Sequence, residues 1–144
     1  MILQKVTENI RQEIRKDPVL SGLSALAKEG RIPLYLVGGF LRDLLLGSPG
    51  KDYDFALPKE ASSSIEIISE AFGLRFFRVG KEEKNTITYR TLQEGRSIDI
   101  AFLQGETIEE DLARRDFTIN AMAFSLPDET FHWAEGSLED LGNK

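Results

Sequence analysis

Two carboxylates stand one residue apart in the run K-D-Y-D-F-A-L from 51 to 57, at Asp52 and Asp54. On an extended strand alternate side chains share a face, so these acids project together while Tyr53, Phe55 and Leu57 project the other way, into a core. Acids held this close repel each other unless something positive lies between them, and a hard divalent cation with oxygen ligands meets that need. Mg²⁺ suits the pair best, because it seldom sits in an all-protein cage and takes one or two carboxylates, waters and the phosphate oxygens of a substrate. A place for such a phosphate lies just upstream. Gly38 and Gly39 separate an apolar run, L-Y-L-V from 34 to 37, from a helical pattern, and they let backbone N–H groups approach an anion at the positive end of that helix.

The elements that must hold these groups follow from the spacing of apolar residues. Val6, Ile10 and Ile14 predict a first helix ending near Asp17-Pro18; Asp17 then caps a second, with Pro18 at its first position, Leu20, Leu23, Leu26 and Ala27 on its apolar face and Gly30 as its stop. Leu34 to Val37 reads as a strand covered on both faces. Phe40, Leu41, Leu44 and Leu45 bury one side of the helix after the glycines, leaving Arg42 and Asp43 on another, and Gly47 ends it. After the Asp52–Leu57 strand a helix is expected from Lys59 to Phe72, stopped by Gly73.

The rest is strand-rich. Leu74–Val79, Thr86–Leu92 and Ser97–Leu103 are strand candidates, the last two joined by a turn at residues 93–96. In the third, Asp99 and Ala101 share one face, and Ile98, Ile100 and Phe102 the other. A carboxylate in so apolar a strand is either at an exposed edge or has a chemical duty. Thr107 and Glu110 make a capping box that opens a helix toward Arg115, with Glu109 and Glu110 facing solvent. Asp116 and Asn120, four apart, face the same way if the helix continues or restarts there. Ala123–Leu126 and Thr130–Trp133 complete a small hairpin. His132, the single histidine, reads as a packing or surface residue.

Composition sets outer limits. A chain of 144 residues suits one domain and buries roughly 68–70% of its unfolded surface. It has no cysteine, so disulfides and thiolate metal sites are excluded, and a reducing cytoplasm is compatible. No apolar run approaches the ~20 residues of a membrane span and the N-terminus lacks a signal-peptide core, so a soluble, cytoplasmic protein without a membrane partner is expected. A formal charge of −6 argues against a broad nucleic-acid surface. Lys81, Lys84, Arg90 and Arg96 are candidates for a local basic patch, or simply for a solvated loop. Walker A, G-x-G-x-x-G, H-E-x-x-H and G-x-S-x-G motifs are all absent.

The run GGFLRDLLLG followed by DYD closely resembles the signature of the class II tRNA nucleotidyltransferase (CCA-adding enzyme) and bacterial poly(A) polymerase family, within the polymerase-beta-like nucleotidyltransferase superfamily. DLARRDFTINAMAF, from Asp111 to Phe124, resembles the same family's second motif. The resemblance runs from about Leu34 to Leu141. It implies an α+β head with a mixed β-sheet flanked by helices, and a single catalytic head over residues 1–144. The helical neck, body and tail with which the family continues would be absent, together with the E-D-x-x-R element that selects the base.

The activity so implied is Mg²⁺-dependent transfer of nucleotides from CTP or ATP to an RNA 3′ hydroxyl, the tRNA 3′ end above all. Two cations about 3.5–4 Å apart serve such a transfer and need closely spaced carboxylates. Asp52 and Asp54 fit as metal ligands, with Asp99 a third acid that completes the set or helps deprotonate the primer hydroxyl. Gly38, Gly39 and Arg42 would meet the triphosphate, although Arg42 could instead pair with Asp43. The resemblance puts Arg115, Asp116 and Asn120 around the ribose and triphosphate, against the alternative of a salt-bridged helix end. Other readings also stand: a catalytic subunit that borrows an RNA-binding partner, a homo-oligomer, or a nucleotide-binding regulatory module without turnover.

Overall fold

The computed structural model describes residues 2–47, 50, 52–80, 87–93, 95–114 and 121–134. Helix α1 (Ile2–Lys16) and α2 (Pro18–Gly30) meet at Asp17, whose carboxylate accepts hydrogen bonds from the Val19 and Leu20 N–H groups at 2.9 and 3.2 Å. This is the cap expected from an aspartate just before a proline at the first helical position. The helix stop differs from expectation. Gly30 is the last helical residue, and Arg31 takes the left-handed conformation with φ 52°. The next residue explains it: Ile32 is buried and its N–H donates to the Ala27 carbonyl at 2.9 Å, closing the turn with an apolar contact.

Strand β1 (Tyr35–Val37) feeds directly into α3 (Gly38–Leu45), and β2 (Tyr53–Leu57) follows. The predicted 59–72 helix is broken into a 3₁₀ turn, Lys59–Ala61, and α4 (Ser64–Phe72). Between them lie Ser62 and Ser63, a residue type whose side chain competes for backbone partners and favours turns. Strands β3 (Phe77–Val79), β4 (Thr88–Gln93) and β5 (Arg96–Phe102) come next, then α5 (Ile108–Ala113) and the hairpin β6 (Met122–Ser125) and β7 (Thr130–Trp133). Thr107 caps α5 by accepting from Glu110 N–H at 3.2 Å, as its capping-box spacing requires, and Glu109 and Glu110 are exposed.

The strands form one sheet in the order β3-β4-β5-β2-β1-β6-β7, in which β2 and β5 run parallel and every other neighbouring pair antiparallel. Its two faces differ. One is packed under α1 to α4: Leu36, Tyr53, Phe55, Leu57, Ile98, Ile100 and Phe124 meet Ile10, Leu20, Leu23, Phe40, Leu41 and Ile68, all at 3% exposure or less. The other, among the described residues, is covered in part by α5, where Ile108 and Leu112 pack on Val37, Ala56 and Ala123. Strand β1 is therefore buried on both sides, and among the described residues the second face beside it stays open at Asp54 and Asp99.

Polar ties lock this frame. Tyr53 O–H donates to both Asp17 oxygens, at 3.0 and 2.8 Å, which joins the start of β2 to the start of α2. Burial first, and then the Asp17 carboxylate, push the Tyr53 phenol well above its ordinary value. The Arg96 guanidinium lies over the Tyr53 ring at 4.5 Å and donates to Gly50 O at 3.4 Å, so this cation is engaged in the frame. On the far side Glu129 accepts from Lys28 at 2.8 Å and pairs with Arg11 at 3.2 Å, fastening the β6–β7 turn to both N-terminal helices. Among the described residues no helix is long and apolar enough to cross a membrane. His132 packs edge-on against Tyr35, consistent with a structural part.

Candidate active site

The parallel pairing of β2 with β5 sets Asp54 directly opposite Asp99. Both lie on the open face with Ala56 and Ala101, while Phe55, Ile98 and Ile100 point into the core. Asp99 is accordingly a neighbour of Asp54, on a strand paired on both sides, and not an isolated edge residue. Asp54 also faces the glycine turn: a Cβ added to Gly38 would stand 3.6 Å from Asp54 Oδ2. Gly38, Gly39, Asp54 and Asp99 line one cavity of about 320 Å³ with Thr88 and Ala101.

Asp52 departs from the strand reading. Strand β2 begins at Tyr53, and Asp52 sits on the bend before it, exposed, where strand alternation does not dictate its direction. Its Oδ1 accepts from the Ser97 N–H at 3.1 Å, and that bond chiefly holds its carboxyl below the ordinary value. Among the described residues no three acidic, histidine or cysteine side chains converge as a metal cage. The donor set still suits Mg²⁺, which needs only one or two carboxylates, and Asp54 offers a hard oxygen beside a backbone cradle.

Gly38 adopts φ +68°, a conformation that allows β1 to turn sharply into α3. Val37, at the N-cap position, makes no side-chain cap bond, so the first N–H groups of α3 receive none from it. Arg42 Nε donates to Asp43 Oδ1 at 2.9 Å, which is the pairing weighed as an alternative to phosphate binding. Its guanidinium end nevertheless lies at the turn, 3.5 Å from where a Gly39 Cβ would be. Arg115, Asp116 and Asn120, like Lys81 and Lys84, lie outside the described residues.

Two residues gain a significance that sequence spacing did not reveal. Arg90, considered above as part of a basic patch or a solvated loop, is on β4 in register with Asp99. Its Nε and Nη2 donate to Asp99 Oδ1 and Oδ2 at 2.8 and 3.0 Å, a complete fork. The hydrogen bonds and charge of Asp99, followed by the fields of Asp52 and Asp54, raise the guanidinium pKa further. Asp111 is 4% exposed and accepts from Gln104 N–H at 3.2 Å, bracing the turn into α5. With Arg114 it lines a second cavity of about 280 Å³, which shares Val37, Phe55 and Ala101 with the first.

This fold is that of a polymerase-beta-like nucleotidyltransferase head. The chain superposes with a TM-score of 0.72 on a CCA-adding enzyme in complex with CTP, at 33% identity over 98% of this chain and 35% of that one. A Thermotoga maritima CCA-adding enzyme complexed with tRNA gives 0.71 at 35% identity, over 97% and 34%. The chain belongs to the family of the poly A polymerase head domain, whose model matches residues 34–144. Among curated relatives it is similar to a CC-adding tRNA nucleotidyltransferase of Geobacter sulfurreducens, 35% identical over 88% of this chain and 29% of the relative. It is also similar to poly(A) polymerase I of Salmonella typhi, 35% identical over 74% of this chain and 27% of the relative. The chain thus spans under a third of the length of these two relatives.

Proposed function

We propose that this chain is the catalytic head of a metal-dependent nucleotidyltransferase that moves a nucleotide from CTP or ATP to an RNA 3′ hydroxyl, with the tRNA 3′ end as acceptor. The observation that carries the reading is the juxtaposition of Asp54 and Asp99, opposite each other on parallel strands, with the Gly38-Gly39 turn at the N-terminus of α3. Relatives named for CC addition, CCA addition and poly(A) synthesis support the reaction class. Structures described as complexes with CTP, ATP and tRNA support the substrates.

In this reading Asp52 and Asp54 hold Mg²⁺, which when bound supplies charge neutralisation to the attacking and departing oxygens. The N–H groups at Gly38 and Gly39 donate to the triphosphate, with the helix terminus favouring its charge. Arg42, at the same turn, adds a cation. Asp99 orients the acceptor hydroxyl or takes its proton. Arg115, Asp116 and Asn120 are assigned to the ribose and triphosphate on the family resemblance, their types suiting hydroxyl acceptance and phosphate donation.

The test incubates the purified chain with Mg²⁺, tRNA lacking its 3′ end and each labelled nucleoside triphosphate in turn. Incorporation from CTP or ATP is expected, and it should vanish in a folded Asp52→Ala, Asp54→Ala variant. Wild type that extends nothing, or a variant as active as wild type, overturns the reading. Triphosphate binding without extension would instead favour a nucleotide-binding module or a catalytic subunit that relies on a separate RNA-binding partner.

A further inference from the structure

Arg90, Asp99 and Asp54 occupy one rung across β4, β5 and β2, so their backbones follow one another at about 4.8 Å per strand. Side-chain exposure is 40% for Arg90 and 18% for Asp99. The guanidinium takes both Asp99 oxygens in parallel bonds of 2.8 and 3.0 Å, an arrangement that the planar fork of arginine permits and the single ammonium of lysine does not. Next to this pair stands Asp54, and Asp52 is fixed nearby by Ser97. Asp54 and Asp99 stand side by side on the open face, and Arg90 is the guanidinium that the structure pairs with Asp99 beside them.

We propose that Arg90 is a positioning residue of the active site: it orients Asp99 through both oxygens and lowers the resting affinity of the acidic pair for divalent cations. This rests on the assignment of Asp52 and Asp54 as cation ligands and goes beyond it. Asp99 then works as an oriented acid beside the reaction and is not free to wrap a cation with two oxygens. The guanidinium also offsets the repulsion between Asp54 and Asp99 before substrate arrives, so that Asp54 is held ready at the Gly38 turn. A plain cross-strand salt bridge would contribute to stability alone and leave cation binding untouched.

The experiment titrates Mn²⁺ into the nucleotide-free chain and follows free Mn²⁺ by electron paramagnetic resonance, with circular dichroism to verify folding. Arg90→Met removes the charge and should tighten Mn²⁺ binding about five- to tenfold, as expected for a unit charge acting at this range in a half-exposed site. Arg90→Gln, which keeps a polar side chain of similar reach, should act in the same direction and serves if Arg90→Met does not fold. Adding Asp99→Asn to either variant should restore an affinity near wild type, because the unmasked acid is then neutral. A folded Arg90 variant with unchanged or weaker Mn²⁺ binding overturns the proposal. Asp54→Asn separates the two claims. Should it leave Mn²⁺ binding intact, the cation assignment itself fails; should it abolish binding while Arg90 variants change nothing, only the role of Arg90 fails.

Discussion

Replacing Gly38 by alanine should destabilise the protein, whereas the same change one residue later should not. At Gly38 the backbone has φ +68°, where an L side chain costs about 1–2 kcal/mol. The new methyl would lie 3.6 Å from Asp54 Oδ2, an ordinary contact that adds no clash, so backbone strain sets the whole penalty. For a chain of this length that corresponds to a fall in melting temperature of about 3–6 °C. Gly39 has no left-handed conformation, lies in the first turn of α3, and its added Cβ would meet only the Arg42 guanidinium at 3.5 Å. Alanine there should be neutral or stabilise by at most ~0.5 kcal/mol. Equilibrium urea unfolding measures both. Both variants should nonetheless bind CTP less tightly, by about tenfold or more, because a methyl group intrudes where a phosphate needs one or two charge-assisted hydrogen bonds. A Gly38→Ala protein as stable as wild type, or a Gly39→Ala protein equally destabilised, would refute the reasoning about the turn.

Further outcomes follow from the ties that hold the frame. Tyr53→Phe removes a donor to the Asp17 carboxylate and should cost about 1.5–3 kcal/mol in urea unfolding at neutral pH. Because the folded phenol titrates above its ordinary value of 10.0, its contribution is complete below that pH and is lost as pH rises through the raised value. The stability gap between wild type and Tyr53→Phe should therefore narrow in alkali. Glu129 behaves in the opposite sense: the hydrogen bond from Lys28 chiefly holds its carboxyl below the ordinary 4.5, so its contribution is present above that pH and disappears on acidification. Melting curves of Glu129→Gln against wild type should differ by less than about 1 kcal/mol at pH 7 and converge in acid.

Much of this frame was legible in the sequence because it depends on local rules. An aspartate before a proline caps a helix, a T-x-x-E run opens one, and alternation along I-D-I-A-F puts Asp99 on the face opposite its apolar neighbours. What escaped were relations between distant segments. The parallel pairing of residues 53–57 with 98–102 bridges more than forty positions, and no local pattern specifies that Asp54 faces Asp99. The same register brings Arg90 to Asp99, so a residue that resembled one charge of a solvated loop is a partner of the acids. Asp52 fell outside the strand because β2 pairs with β5 only from Tyr53 onward, and a backbone N–H at Ser97 holds its carboxylate instead. The left-handed stop at Arg31 depended on the burial of Ile32, a tertiary fact.

The central claim is that the acids beside the glycine turn hold a cation that in turn holds a triphosphate. Its most direct test is the affinity for CTP measured by equilibrium titration with and without Mg²⁺, in wild type and in the Asp52→Ala, Asp54→Ala protein. Mg²⁺ should tighten CTP binding to wild type by about tenfold or more and have no effect on the variant. Equal affinity for CTP with and without Mg²⁺ in wild type, or a Mg²⁺ effect that survives loss of both acids, would contradict the account.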